Sequence, residues 1–352
     1  MQGAALNLDN KRGYIYTEGE LEDSLASPND AVIAAMRELE GDLMILGVGG
    51  KMGPSLARLA RRACLQAGTS KRIIGVARFN NDNLVSQLEG EGIQTVRCDL
   101  LDVANLNTLP DIPNIVFMAA RKFGTTGAEY LTWAMNTYLP GLVAERFRGS
   151  RIVAFSTGNV YPLQPVSRGG ANELTPVAPE GEYAQSALGR ERMFEYGSHR
   201  WGTPVTILRL NYAIDLRYGV LLDIGGAVYE GRPVNLRMGL VNVIWQGDAN
   251  AACLLSFAHC QSPPTILNIT GPETLSVRYL ALEFARRFQR EPFWDGEESS
   301  TALLNVASQS HYLFGYPAVT VREMIDWTAH WISIGGPTLG KPTHFDARDG
   351  RF

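Results

Sequence analysis

Cysteine is scarce: Cys64, Cys98, Cys253 and Cys260 are scattered through 352 residues, with no CxxC pair and no histidine cluster beside them. That excludes a disulfide framework or a zinc site as an organising element, and it fits reduced thiols and no bound metal. Long apolar runs are missing too. The longest, Leu43–Val48 and Ile115–Ala120, are strand-length and far short of a bilayer span, so no membrane partner is expected. Basic residues form no block and the net charge is −4, which argues against nucleic acid. The first stretch, "MQGAALNLDNKRGY", carries no apolar signal core, so a cytoplasmic location is expected. No repeat of fixed period and no low-complexity tract occurs.

What remains is an ordinary globular balance, 45% hydrophobic and 19% charged, in a chain long enough for one large α/β domain or two fused lobes. Residues 1–26 are polar and poorly patterned. Ser27-Pro28-Asn29-Asp30 then reads as a helix start, with Ser27 as N-cap, and Ala31–Leu39 carries the helix to Gly41. Strand-like runs follow at Leu43–Leu46, Arg72–Val76, Thr95–Arg97, Ile115–Met118, Arg151–Phe155 and Val205–Leu210. Helical stretches at Pro54–Ala67, Glu129–Phe147 and Tyr183–Tyr196 lie between most of them. That alternation predicts βαβ units, a doubly wound parallel sheet of Rossmann type. The rhythm changes after Leu210. An extended run and buried helix at 240–259, a strand at 265–270, and helices around Ser276–Gln289 and Val321–Trp331 complete the pattern. The expected organisation is an extension with one helix over 1–40 and a Rossmann domain over 41–210 and 241–270. A smaller, discontinuous substrate lobe then takes 211–240 and 271–334, and an extended surface tail 335–352.

The stretch "GDLMILGVGGKMGPSLARLARRA" (41–63) runs from an apolar strand through a glycine turn into a helix. In that setting Gly47 permits the tight turn, Gly50 admits backbone to a pyrophosphate, and Gly53 lets helix and strand pack closely. The helix N-terminus offers N–H groups and positive dipole to the phosphates. Lys51 and Met52 lie inside the turn and are candidate cofactor contacts. The spacing is GxxGxxG. The second strand ends "IIGVARFNND", with Ala77 where an acidic residue would grip a ribose diol, followed by Arg78. A small residue then arginine suits a 2′-phosphate, so NADP is favoured, with NAD as the alternative.

Later segments fall into a known order, and the chain resembles the extended short-chain dehydrogenase/reductase superfamily, in its NAD(P)-dependent epimerase/dehydratase group. "CDLLD" (98–102) is similar to the adenine-side segment, placing Asp99 and Leu100 on the cofactor, and "VFMAARKFG" (116–124) to the strand whose Ala119 and Ala120 line it. Asn136 in "MNTYLPG" matches the family's helix asparagine, counted with the cofactor residues. "VAFSTGNVYP" puts the catalytic hydroxyl on Thr157, and "NELTPVAPEGEYAQSALGRER" puts the catalytic tyrosine on Tyr183. The resemblance implies hydride transfer at a carbinol or carbonyl carbon. Thr157, Asn159, Asn211 and Arg121 are candidate substrate contacts, and the resemblance implies a homodimer built on the helices over Glu129–Phe147 and Tyr183–Tyr196.

Two departures shape the expected chemistry. The family's lysine, four residues after the tyrosine, lowers the phenol pKa; here "YAQSA" puts Ala187 there. Another cation takes over, or Tyr183 only hydrogen-bonds, or the protein senses dinucleotide without chemistry. Lys122 is the favoured substitute, while Arg190, seven residues from Tyr183, reads first as a surface partner of Glu191 or Glu195. Nucleotide-sugar members carry an arginine just before the strand that ends at Asp248 and another in the C-terminal lobe. This chain has Val241 and Asn242, then the acidic "WDGEESS", with Arg237 the nearest cation. A free sugar, sugar acid or similar polyol is therefore the expected substrate, with a nucleotide sugar as the alternative.

Overall fold

The structure, a computed structural model, describes residues 13–350. Two helices precede the sheet: α1 (Glu18–Leu25) and α2 (Asp30–Glu38). The expected extension with a single helix is thus corrected. Thr17 and Glu20 form a reciprocal capping box that starts α1, and its Leu21 and Leu25 are fully buried. The cap of α2 is Asn29, whose Oδ1 accepts from Val32 N at 2.9 Å. Ser27 is not that cap; its Oγ donates back to Asp23 O at 2.7 Å, at the end of α1.

The sheet has seven strands, all parallel: β1 (Leu43–Leu46), β2 (Ile73–Ala77), β3 (Gln94–Arg97), β4 (Asn114–Phe117), β5 (Arg151–Thr157), β6 (Val205–Leu210) and β7 (Thr265–Ile269). Their spatial order is β7-β6-β5-β4-β1-β2-β3. Chain order reverses beside β1, between β2 and β4, which opens a crevice at the strands' carboxyl ends. This is the doubly wound parallel sheet of Rossmann type. β1 and β4 are buried at every position, as central parallel strands covered on both faces must be.

Helices cover both faces. α3 (Gly53–Gln66) follows the glycine turn, and α4 (Asp82–Gly90) and α5 (Val103–Thr108) are short connections unmarked in the sequence pattern. The run expected as one helix over Glu129–Phe147 is α6 (Glu129–Trp133), a π-helical turn (Ala134–Tyr138) and α7 (Leu139–Arg146). α8 (Gly181–Trp201) packs beside it. One face buries Val32, Leu56, Ala60 and Val116 together; the other buries Phe117 against Phe194, with Leu139 and Val143.

A third core belongs to the later segments. α9 (Val220–Glu230), α11 (Val277–Phe288) and α13 (Val321–Ser333) enclose it, while α10 (Gln246–Leu255) and α12 (Ser308–Phe314) lie between it and the sheet. Its centre is Trp245 edge-on to Trp327, with Leu280 and Phe284, and Leu21 and Leu25 reach in from α1. Phe345 joins this core and Thr343 is 2% exposed, so the tail is not merely a surface strand. No helix among the described residues is long and apolar enough to cross a membrane.

Candidate active site

The crevice holds a trough made of two joined cavities, of about 340 and 300 Å³, which share Gly47, Gly50, Met118 and Ala120. The first half is built locally. Gly47 has φ +97°, and a Cβ there would lie 2.6 Å from Ala119 N, so backbone of β1 and β4 meet where only glycine fits. A Cβ on Gly50 would meet nothing nearer than 3.4 Å, which leaves its trough side open. Gly53 does not line the trough; a Cβ there would sit 2.1 Å from Val48 O, so this glycine seats α3 on the turn. Met52 is the N-cap of α3 and makes no side-chain cap, with proline just inside the helix. Such a helix start presents N–H groups to an anion.

Ala77, Arg78, Asp99, Leu100 and Ala119 line the same half. Arg78 is exposed at its rim. Phe79, next in sequence, adopts φ +46°, a conformation that costs a residue with a Cβ on the order of 1 kcal/mol. An open cradle at Gly50, a bare helix start and a groove toward Arg78 fit a dinucleotide.

The second half draws on distant segments. Lys51, Met52, Lys122, Thr157, Asn159, Tyr183 and Asn211 all line it. The Tyr183 phenol and the Thr157 hydroxyl are hydrogen-bonded to each other, and Thr157 Oγ1 also accepts from Asn159 N at 3.2 Å. Burial pushes the Tyr183 phenol up, while the Arg190 guanidinium and the Thr157 bond pull it the other way.

Arg190 corrects the surface reading. It is 3% exposed and lines the cavity, with Nη1 donating to Phe155 O at 2.7 Å and Nη2 to Asn136 Oδ1 at 2.9 Å. Glu191 is paired elsewhere, with Arg209 at 2.7 Å in a buried bridge that also reaches Ser156 and Tyr161. Ala187 is fully buried among Val160, Tyr161 and Ala171. A turn of helix after Tyr183 thus lies in apolar packing, and the nearby cation comes from the next turn.

Two expected contacts do not reach the trough. Asn136 is fully buried in the π-helical turn, its amide spent on Arg121 N and O, Ser186 Oγ and Arg190. It supports Arg190 and the loop after β4 from behind. Arg121 folds back on its own loop, Nη2 donating to Gly124 O at 2.8 Å, and does not line the cavity.

Lys122 Nζ donates to Thr343 O at 3.3 Å and stands 6.0 Å from the Tyr183 ring centroid. Lys51 Nζ donates to Ala213 O at 3.0 Å, 4.2 Å from the Tyr218 ring centroid. Burial holds both ammonium groups down to about 8. Tyr212, Tyr218 and Thr343 complete the walls. Tyr212 has φ +44° and donates from its hydroxyl to Phe345 O at 3.3 Å, tying the site to the tail. Nothing local marks Tyr218 or Thr343, because their place depends on two segments far apart in sequence.

Residues 43–213 match the sequence model of the NAD dependent epimerase/dehydratase family. That segment is just under half of the chain, and the match supports an enzyme of the epimerase/dehydratase type. No curated protein sequence matches the chain. Among solved structures it is similar to MoeE5 in complex with UDP-glucose and NAD, at 18% identity and TM-score 0.66, over 84% of this chain and 99% of that one. A UDP-glucuronic acid 4-epimerase from Bacillus cereus, in complex with UDP-glucuronic acid and NAD, gives 16%, 0.67, 83% and 99%. A Thermus thermophilus UDP-glucose 4-epimerase in complex with NAD gives 18%, 0.65, 82% and 98%. At these identities the likeness is one of fold.

Proposed function

We propose that this chain is an NADP-preferring epimerase or oxidoreductase acting on a secondary alcohol or ketone of a carbohydrate-like molecule. The observation that carries this is Tyr183 hydrogen-bonded to Thr157 beside the Arg190 guanidinium, in a cavity continuous with the glycine turn. A dinucleotide bound in the trough supplies hydride acceptance and return. Tyr183 accepts the hydroxyl proton of the substrate and gives it back, while Thr157 fixes the reacting oxygen. Arg190 takes the part of the missing lysine: its charge stabilises the phenolate that burial would otherwise disfavour. Asn136 and Phe155 O hold that guanidinium in place. Arg78, beside the small Ala77, pairs a 2′-phosphate.

The test is turnover of Tyr183→Phe and Arg190→Met, read with dinucleotide affinity. Loss of turnover with affinity kept supports the assignment; full turnover by Tyr183→Phe on an identified substrate places the chemistry elsewhere. A second reading, a nucleotide-sugar epimerase, draws on the UDP-sugars held by proteins of the same fold. Against it, the Asn242 amide is spent on Glu273 O and Asn305 N, and Arg237 is exposed and outside the cavity lining. A homodimer is proposed through the outer face of α6, the π turn and α8, where Tyr130, Tyr138 and Tyr196 are more than half exposed. Light scattering that shows a monomer at micromolar concentration removes it.

A further inference from the structure

On its substrate-lobe side the chemistry half of the trough runs into the tail, where Thr343 forms part of its wall. Among the described residues, the space past Asn159 and Tyr212 narrows to a recess of about 40 Å³ walled by Ala347, Arg348 and Gly350. A recess of that size holds a few waters and no nucleotide.

The tail is fixed there by groups that line neither half of the trough. Asp223 of α9 accepts from Thr343 N at 2.8 Å and from its hydroxyl, and Phe345 N donates to Thr343 Oγ1 at 3.2 Å. Phe345 is sunk in the lobe core. Asn235 Nδ2 donates to Asp346 Oδ2 at 2.9 Å. Arg348 Nη1 donates to Arg237 O at 3.0 Å and Thr301 O at 2.8 Å, while Nη2 reaches Thr301 Oγ1. The segment then meets the start of α8, where a Cβ on Gly181 would lie 2.3 Å from Gly350 O. Ordering irregular backbone costs conformational entropy at every residue, and these bonds and the buried ring offset it.

We propose that this return of the tail sets substrate specificity: held by Asp223 through Thr343 and by Arg348, it ends the trough at a single carbohydrate-sized molecule and excludes a nucleotide-linked one. This rests on the reading that a dinucleotide fills the trough with its reacting end at Tyr183. The bound cofactor then closes one end of the chemistry half, and the tail closes the other. The tail also covers Asn235 and the backbone of Arg237, where a nucleotide's diphosphate would find its cation. Asp223 and Arg348 are positioning residues, since they act on the substrate only through the tail. Exclusion by a filled space is specificity built against the wrong ligand.

The test pairs hydrogen exchange of the peptide over 341–350 with calorimetric titration of the NADP-loaded full chain. The probe is UDP-glucose, which a protein of the same fold holds. In wild type the tail amides should exchange slowly, and UDP-glucose should show no saturable binding at millimolar concentration. Asp223→Ala and Arg348→Ala should each speed tail exchange by at least ~10-fold and raise UDP-glucose affinity by at least ~10-fold, with NADP affinity kept within about 2-fold. Thr343→Ser keeps both bonds to Asp223 and should behave as wild type. Circular dichroism confirms that the variants fold. Micromolar binding of UDP-glucose to wild type overturns the proposal. So does a tail that stays protected in both alanine variants, or a loosened tail that still excludes UDP-glucose. Failure of NADP and NAD to bind wild-type protein sinks the dinucleotide reading and this one with it, whereas NADP bound beside an unprotected tail sinks this one alone.

Discussion

The two halves of the trough are made differently. The nucleotide half comes from a turn, a strand end and two short segments, each positioned by its own local conformation. The chemistry half brings together the glycine turn, the loops after β4 and β6, the end of β5, the start of α8 and the tail. A locally built site is rigid and readable and fails as a unit. An assembled site can change one partner, here the cation beside the tyrosine, while the rest keeps its geometry.

Substitutions on either side should expose that contrast. Gly47→Val puts a branched side chain at φ +97° and against Ala119 N, so dinucleotide affinity should fall by ~100-fold or more, read by fluorescence titration. Tyr183→Phe should instead lower turnover by ~10²–10⁴-fold with affinity nearly unchanged, in a steady-state assay. Equal loss of affinity in both variants would erase the distinction between the halves.

Restoring the family lysine sharpens it further. Ala187→Lys drives an ammonium group into the packing of Val160, Tyr161 and Ala171, so it should cost roughly 3 kcal/mol or more in urea unfolding and give no gain in turnover. A stable, more active variant would show that the helix turn after Tyr183 faces the cofactor.

The pH dependence of stability tests the assembled half without any ligand. Lys51 is held down to about 8 in the folded protein, against 10.5 in an unfolded chain. Between those values the unfolded state binds more protons, so folding is penalised below pH 8 and the penalty is relieved as pH rises toward 10.5. Lys51→Met should therefore be more stable than wild type at pH 7, and that advantage should shrink on the order of 2 kcal/mol by pH 10.5, in paired urea titrations. An advantage independent of pH contradicts the burial of this ammonium group. The smallest effect belongs to the rim: Arg78→Ala should weaken NADP about 10-fold and leave NAD unchanged in competition titrations, an exposed charge pair being modest in water.

Much of the nucleotide half was legible because its causes are short-range. Gly47 and Gly53 each answer a contact within a few residues or one strand away. The parallel sheet followed from strands spaced by helices, with boundaries off by one or two residues. Reading failed where burial decided. Arg190 has the same spacing from Tyr183 whether its helix face meets solvent or the end of β5, and only packing of α8 puts it inside. Asn136 matched a family position, yet its amide serves the loop after β4 and Arg190 instead of a ligand.

By itself the sequence determined the strands of the sheet and the glycine turn, which depend on backbone conformation, periodicity and spacing that a few neighbouring residues set. Thr157 and Tyr183 were marked by the family resemblance. Tertiary structure alone decided that Ala187 lies in a core, that Lys51 and Lys122 share a cavity, and that Thr343 returns from the tail to wall it. Burial and the electrostatics that follow from it depend on what packs against a face, and that partner is far away in the chain.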